Sequence, residues 1–229
     1  MFEQFQKRSY QLERLDTGDY TPAEYARWHR EMWFIHRMFG ELRALRNSLL
    51  RTIETSGKAA VSVLDVGAGA GELLTELQKW LAGRESFLVG AEISGDAAAA
   101  MRDAKINVVQ CDAMRLPFDD GSFDHAFCSL FLHHLGDEAA VDMIREMGRV
   151  ASDRIFVIDL NRDPKAYYLY KYVAGIFLQK FTRDDGALSI LRSFTLEEMY
   201  GLAEKAGLSN VTVTRSKANR LVLSGIGSR

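Results

Sequence analysis

The chain has 229 residues, 47% of them hydrophobic and 26% charged, with a formal net charge of −2 at pH 7, which suits one α/β domain with an appended segment. The near-neutral balance, without a long basic run, argues against a nucleic-acid substrate. The two cysteines, Cys111 and Cys128, offer neither a zinc spacing nor a disulfide framework and read as reduced thiols of a cytoplasmic protein; the N-terminus has no apolar signal core, and no stretch reaches the ~18 apolar residues of a spanning helix.

Residues 1–58 read as an N-terminal helical cap segment. Thr21-Pro22-Ala23-Glu24 combines an N-cap, a proline at the first helical position and a capping-box glutamate. Tyr25, Trp28, Met32, Ile35, Phe39 and Leu42 follow at helical spacing. Gly40 bends or breaks this helix, and Leu45, Leu49 and Leu50 form a second apolar face. His29, Trp33 and His36 share one side. They suit a lid that presents a stacking surface and a base, His29 being the candidate. A helix that simply packs on the main domain is the plainer reading.

From residue 59 to 229 the pattern alternates. Strands are expected near 61–66, 87–92, 107–111, 123–129 and 154–160, and helices near 71–82, 95–103, 137–150 and 195–206. Such alternation implies a parallel sheet covered on both faces. Val, Thr and Leu near 210–216 and 219–225 suggest a closing hairpin. A lid insertion over about 163–194 interrupts the alternation. Its first part, 165–181, reads as an aromatic-rich helix with Tyr167, Tyr168, Tyr170 and Tyr172. Arg183-Asp184-Asp185-Gly186 then reads as a charged turn.

The stretch Val61 to Glu72 carries the most chemistry. It is a buried strand ending in Asp65, then the turn Gly67-Ala68-Gly69-Ala70-Gly71. The glycines suggest close approach of a ligand to the backbone at a strand end. A dinucleotide fingerprint wants a small residue where Glu72 stands. A carboxylate at a helix N-terminus repels a pyrophosphate. A ligand with an ammonium and a sulfonium, and no phosphate, fits these acids better.

Three further motifs follow in order: Phe87 to Glu92, Val108 to Ala113, and Leu116 to Asp124, which leads into Phe131-Leu132-His133-His134-Leu135. Together with the glycine turn, residues 61–157 resemble a class I S-adenosylmethionine-dependent methyltransferase of the small-molecule type. The resemblance implies a Rossmann-like, seven-stranded, mostly parallel sheet with helices on both faces and an antiparallel last strand. It implies S-adenosylmethionine as cofactor and assigns residues to it. Asp65, Gly67, Ala68, Gly69 and Gly71 would form the methionine-side turn. Glu92, where the family often has aspartate, would accept from both ribose hydroxyls, with Ile93 beside it. Asp112 would contact the adenine amino group, with Cys111, Ala113 and Met114 along the ring. Ser129 would close the site at the fourth strand.

His133 and His134 are the candidate general bases for a hydroxyl acceptor. Adjacent helical residues point about 100° apart, so one of the pair is expected to face the pocket. Metal chemistry is not expected. The resulting expectation is O-methylation of a small aromatic or hydrophobic metabolite: a phenol, polyketide or quinone precursor. Methylation of a protein or RNA, a non-catalytic binding protein and a nicotinamide oxidoreductase are the rivals. Nothing in the residue order separates a homodimer from a lid closing on one site, and no stable membrane insertion is expected.

Overall fold

The computed structural model describes residues 3–228, with the side chains of residues 36–38, and so the expected role of His36, outside the described set. A short helix α1 (Arg14–Thr17) precedes α2 (Pro22–Met38). The Thr21 hydroxyl accepts from the Glu24 amide at 3.2 Å, and the Glu24 carboxylate accepts from the Thr21 amide at 2.8 Å, so the capping box forms as read. Gly40 breaks the helix outright. Its φ is +81°, and a Cβ there would lie 2.7 Å from the Lys217 carbonyl oxygen.

Residues 41–55 then form one rod: α3 (Glu41–Leu45), a π-turn over Arg46–Leu50, and α4 (Arg51–Thr55). The π-turn was not legible as such. It brings Leu45, Leu49, Leu50 and Ile53 into one core with Val61, Val63, Leu74 and Leu77. The Ser48 and Thr52 hydroxyls donate to the Ala44 and Ser48 carbonyls at 2.7 and 3.0 Å, satisfying acceptors that the widened turn disturbs. Each leucine buried this way stabilises the rod by about 1.5–3 kcal/mol. Residues 41–55 are therefore a layer of the main domain, while α1 and α2 lie over its rim.

The sheet follows as β1 (Ala60–Val66), α5 (Glu72–Trp80), β2 (Glu85–Glu92), α6 (Gly95–Asp103), β3 (Asn107–Gln110), β4 (Phe123–Ser129), α7 (Asp137–Val150) and β5 (Ala151–Leu160). After the insertion come α10 (Leu196–Lys205), β6 (Ser209–Ser216) and β7 (Arg220–Ile226). The strand order is β3-β2-β1-β4-β5-β7-β6. All pairs are parallel except those of β7, which runs antiparallel to both β5 and β6. This is the Rossmann-like, seven-stranded sheet expected from the resemblance. One face packs on α7 and α10, the other on the 41–55 rod and α5.

The insertion differs from its sequence reading. The aromatic stretch is not one helix. It divides into α8 (Pro164–Tyr172), a 3₁₀ turn (Ala174–Phe177) and α9 (Lys180–Arg192). Arg183 to Gly186 is no turn but the interior of α9. Gly186 is there for packing: a Cβ would lie 2.2 Å from the Tyr170 hydroxyl, which donates to the Thr182 carbonyl at 3.0 Å. Glycine in this helix marks the crossing of α8 over α9. We expect Gly186→Ala to destabilise the protein by about 1–3 kcal/mol in urea denaturation, because overpacking at Tyr170 outweighs the roughly 1 kcal/mol gain in helix propensity.

Candidate active site

The glycine turn leaves β1 under two amides, Gly67 and Ala68, which both donate to the Ala91 carbonyl at 2.8 and 3.2 Å. Its three glycines have different causes. A Cβ on Gly67 would sit 2.7 Å from the Phe131 ring, and one on Gly71 would strike Ile106 and Met101. These two serve packing. Only Gly69, at φ +56°, has nothing within 4 Å of a Cβ, and it leaves room for a ligand to reach the backbone. Gly69 also donates to the Glu92 carboxylate at 2.9 Å, while the other Glu92 oxygen accepts from Ser94 at 2.9 Å. Glu92 therefore braces the turn and keeps lone pairs for further donors. On β3's exit, Cys111 donates its amide to the Glu92 carbonyl at 3.0 Å, and Asp112 accepts from the Met114 amide at 2.9 Å. Ala113 and Met114 pack on the core, and Ile93 is exposed.

Asp65 is buried at the end of β1. Burial, together with the charges of Glu41, Glu92 and Glu72, pushes its carboxyl well above the usual range. Glu41, missed in the sequence, arrives here because Gly40 turns the chain inward. Its carboxylate accepts from the Ser129 hydroxyl at 2.5 Å. A pyrophosphate would worsen this crowd of acids, whereas the ammonium and sulfonium of S-adenosylmethionine would relieve it. The open Gly69 and the acid cluster thus fit that cofactor.

β4 ends at Ser129, and Leu130 follows with φ +50°, a left-handed backbone that costs an aliphatic residue on the order of 1 kcal/mol. The strained turn delivers a 3₁₀ segment, Leu132–His134. His133 is buried, and its Nδ1 lies 2.7 Å from Asp159 Oδ1. Asp159, at the end of β5, also accepts from the His133 and Leu160 amides. Burial alone would raise this carboxyl, but the His133 charge and these hydrogen bonds hold it below the usual value. The ionised Asp159 fixes the imidazole proton on Nδ1 and leaves Nε2 as the basic atom. His134 Nδ1 meets Asp16 at 3.0 Å. Both rings line the same cavity, so the expectation that one would face it is corrected: the segment is a 3₁₀ turn, and the rings lie 4.2 Å apart.

Glu13, also missed, completes this corner. Ligand atoms of Glu13, His133 and His134 lie within 4.8 Å of one another. Arg192 stands 3.7 Å from Glu13 and pairs with Asp16; that positive charge disfavours a divalent cation at this corner. Burial raises the Glu13 carboxyl to about 7, against the opposing charge of His134 and the hydrogen bond from Ser189.

A cavity of about 880 Å³ joins these groups. Asp65, Gly67, Ala68, Gly69 and Ser129 meet His133 and His134 on its walls, while Gly71, Glu92, Ile93, Cys111, Asp112, Ala113 and Met114 lie outside it. Its roof is α2, with Trp28, His29 and Trp33, and its far side is α8 and α9. His29 Nε2 reaches to 3.8 Å from Glu72, linking roof to turn. A ladder of rings, Tyr25 on Tyr20 on Phe181 with centroids 5.2 and 5.4 Å apart, holds α2 to α9. Of the residues missed, only Asp159 carried a local signal, since like Asp65 and Glu92 it is an acid ending a strand.

Glu13 makes a pH prediction. A carboxyl whose folded pKa is raised contributes stability at low pH and loses it as pH rises; here the loss runs from about 4.5 to about 7. Glu13→Gln removes it. Urea denaturation should give equal stabilities for the two proteins near the lower limit and a variant more stable by up to about 3 kcal/mol above the upper one. Parallel curves would refute a raised Glu13.

A methyltransferase domain model matches residues 63–154. The demethylmenaquinone methyltransferase of Bacillus subtilis (strain 168) is 28% identical over 193 residues, covering 76% of this chain and 81% of that protein. The ubiquinone/menaquinone biosynthesis C-methyltransferase UbiE of Hahella chejuensis is 29% identical over 179 residues, covering 69% and 71%. Among solved structures, the plantazolicin methyltransferase BpumL with S-adenosylhomocysteine (SAH) superposes with a TM-score of 0.66 at 17% identity, over 87% of this chain and 90% of that one. The magnesium protoporphyrin IX methyltransferase of Synechocystis PCC 6803 gives 0.63 at 15% identity, over 90% and 95%. The glycine turn, the strand-end acids, the sheet order and these likenesses agree in supporting a class I S-adenosylmethionine-dependent methyltransferase, with its methyltransferase domain matched over residues 63–154.

Proposed function

We propose that this methyltransferase acts on a small hydroxylated aromatic acceptor held in the 880 Å³ cavity, with His133 as general base. The observation that carries this reading is His133, bonded to Asp159 at 2.7 Å, on a cavity wall shared with the glycine turn and Asp65. When bound, S-adenosylmethionine supplies an electrophilic methyl group and leaves as the thioether. Glu92 would accept from its ribose hydroxyls, Asp112 from the adenine amino group, and the acids near Asp65 would face its cationic end. Trp28, Trp33 and Tyr170 would flank a planar acceptor and exclude water. His133 Nε2 would take the hydroxyl proton as the oxygen attacks, and Asp159 would stabilise the imidazolium. His134 and Glu13 would carry that proton on towards solvent.

A second reading is transfer to a ring carbon of a quinol. The relative from Hahella is by name a C-methyltransferase of quinone biosynthesis. The same pair of residues serves, because a phenolate concentrates charge on its ortho carbons. Among the described residues no helix is long and apolar enough to cross a membrane.

Two measurements test the proposal. Calorimetric titration with SAH should show binding by the wild type and a loss of roughly 2–4 kcal/mol for Glu92→Ala, which removes a charged acceptor. With 2-naphthol and 1,4-naphthalenediol as probe acceptors, His133→Asn should lower kcat about 10²–10⁴-fold with SAH affinity unchanged. Asp159→Asn should do the same to a smaller degree. NMR of the products separates oxygen from carbon methylation. Full activity of the His133 variant would remove the general-base assignment.

A further inference from the structure

Four arginines among the described residues are buried: Arg8, Arg162, Arg192 and Arg220, at 8, 5, 4 and 3% exposure. Three of them are closed by protein. Arg8 donates to the carbonyls of Arg192, His133 and Leu135 and pairs with Asp137. Arg162 donates to the carbonyls of Phe5 and Ser193 and pairs with Glu198 at 2.6 Å. Arg192 donates to the carbonyls of His133 and His134 and pairs with Asp16.

Arg220 is the exception. The one side-chain hydrogen bond it makes among the described residues runs from Nη1 to the Ala218 carbonyl at a long 3.3 Å. Its Nε is buried without an acceptor. Glu41, Asp159 and Tyr170 act on it through space, without a hydrogen bond. A buried guanidinium left this way is a net cost to the fold unless something else supplies the anion.

Its position says what that is. Arg220 opens β7 and pairs with Leu160, the residue after Asp159. It lines the cavity that His133 lines. We propose that Arg220 binds a carboxylate carried by the methyl acceptor, which makes the acceptor class a hydroxyaryl acid: its acidic group sits on Arg220 while its hydroxyl meets His133. A guanidinium presents two parallel N–H donors that match a carboxylate, which a lysine ammonium does not. The inference rests on the cavity being the acceptor pocket, as proposed above.

The test uses the full chain saturated with SAH, titrated with 3-hydroxy-2-naphthoate and with neutral 2-naphthol. Wild type should bind the acid at least about tenfold more tightly than the naphthol, the value of one charged hydrogen bond. Arg220→Met should erase that gap through loss of acid binding, with naphthol and SAH affinities unchanged. Arg220→Lys, which keeps the charge, should retain only part of the gap. The ligand-free Met variant should melt at or above the wild-type temperature; a merely structural arginine would lower it. Equal affinity for the two probes in wild type, or a gap that survives Arg220→Met, overturns the inference and leaves the aromatic pocket standing. Binding of neither probe overturns both.

Discussion

Everything in this molecule hangs on the place where the sheet changes direction. From β1 the chain moves outward through β2 and β3, then crosses back to lay β4 on the other side of β1. Loops leaving the carboxyl ends of β1 and β4 must diverge, and a crevice opens between them. Asp65 and the glycine turn come from one lip, Ser129 and the strained Leu130 from the other. Their closeness is a consequence of strand order. The antiparallel β7 extends the same lip, carrying Arg220 beside the end of β5.

The crevice alone would leave the His133–His134 segment poorly held. A 3₁₀ turn ends with carbonyls that have no partner of their own. Here Arg8, from the N-terminal segment, and Arg192, from the end of α9, donate to the carbonyls of His133, His134 and Leu135. Arg8 also lies 3.5 Å above the centre of the Phe194 ring. The first residues and the insertion are thus tied to the backbone of the catalytic candidate, while Asp159 holds its side chain.

The cap itself is attached more lightly. Stacked rings and the hydrogen bonds of Gln179, at the start of α9, to both Glu31 carboxylate oxygens at 3.1 and 3.3 Å and to the Glu24 carbonyl at 2.9 Å join α2 to α9. The insertion has two faces. Tyr167 and Tyr170 are packed, whereas Tyr172, Ile176 and Phe177 are exposed. The buried face serves the cavity wall, through Tyr170 above Gly186.

The alternating pattern, the glycine turn and the strand-end acids were legible in the residue order because each is a local matter. Hydrophobic period sets strand or helix, a capping box is four adjacent residues, and Asp65, Glu92 and Asp112 announce themselves by ending strands. The same locality misled at Gly186, where glycine means close packing of Tyr170 and not a turn. At Gly67 and Gly71 the missing side chains also make room for Phe131, Ile106 and Met101, which the residue order did not show. Glu13, Glu41 and Arg220 carried no signal, since each lies far along the chain from the groups it meets. The sequence by itself determined the fold class, the cofactor and the glycine turn at the end of the first strand. Only the tertiary structure decided which carboxylate meets each histidine, which acids crowd Asp65 and which buried arginine is left open. Those properties are distances between elements, set by how helices and strands cross and not by the order in which residues occur.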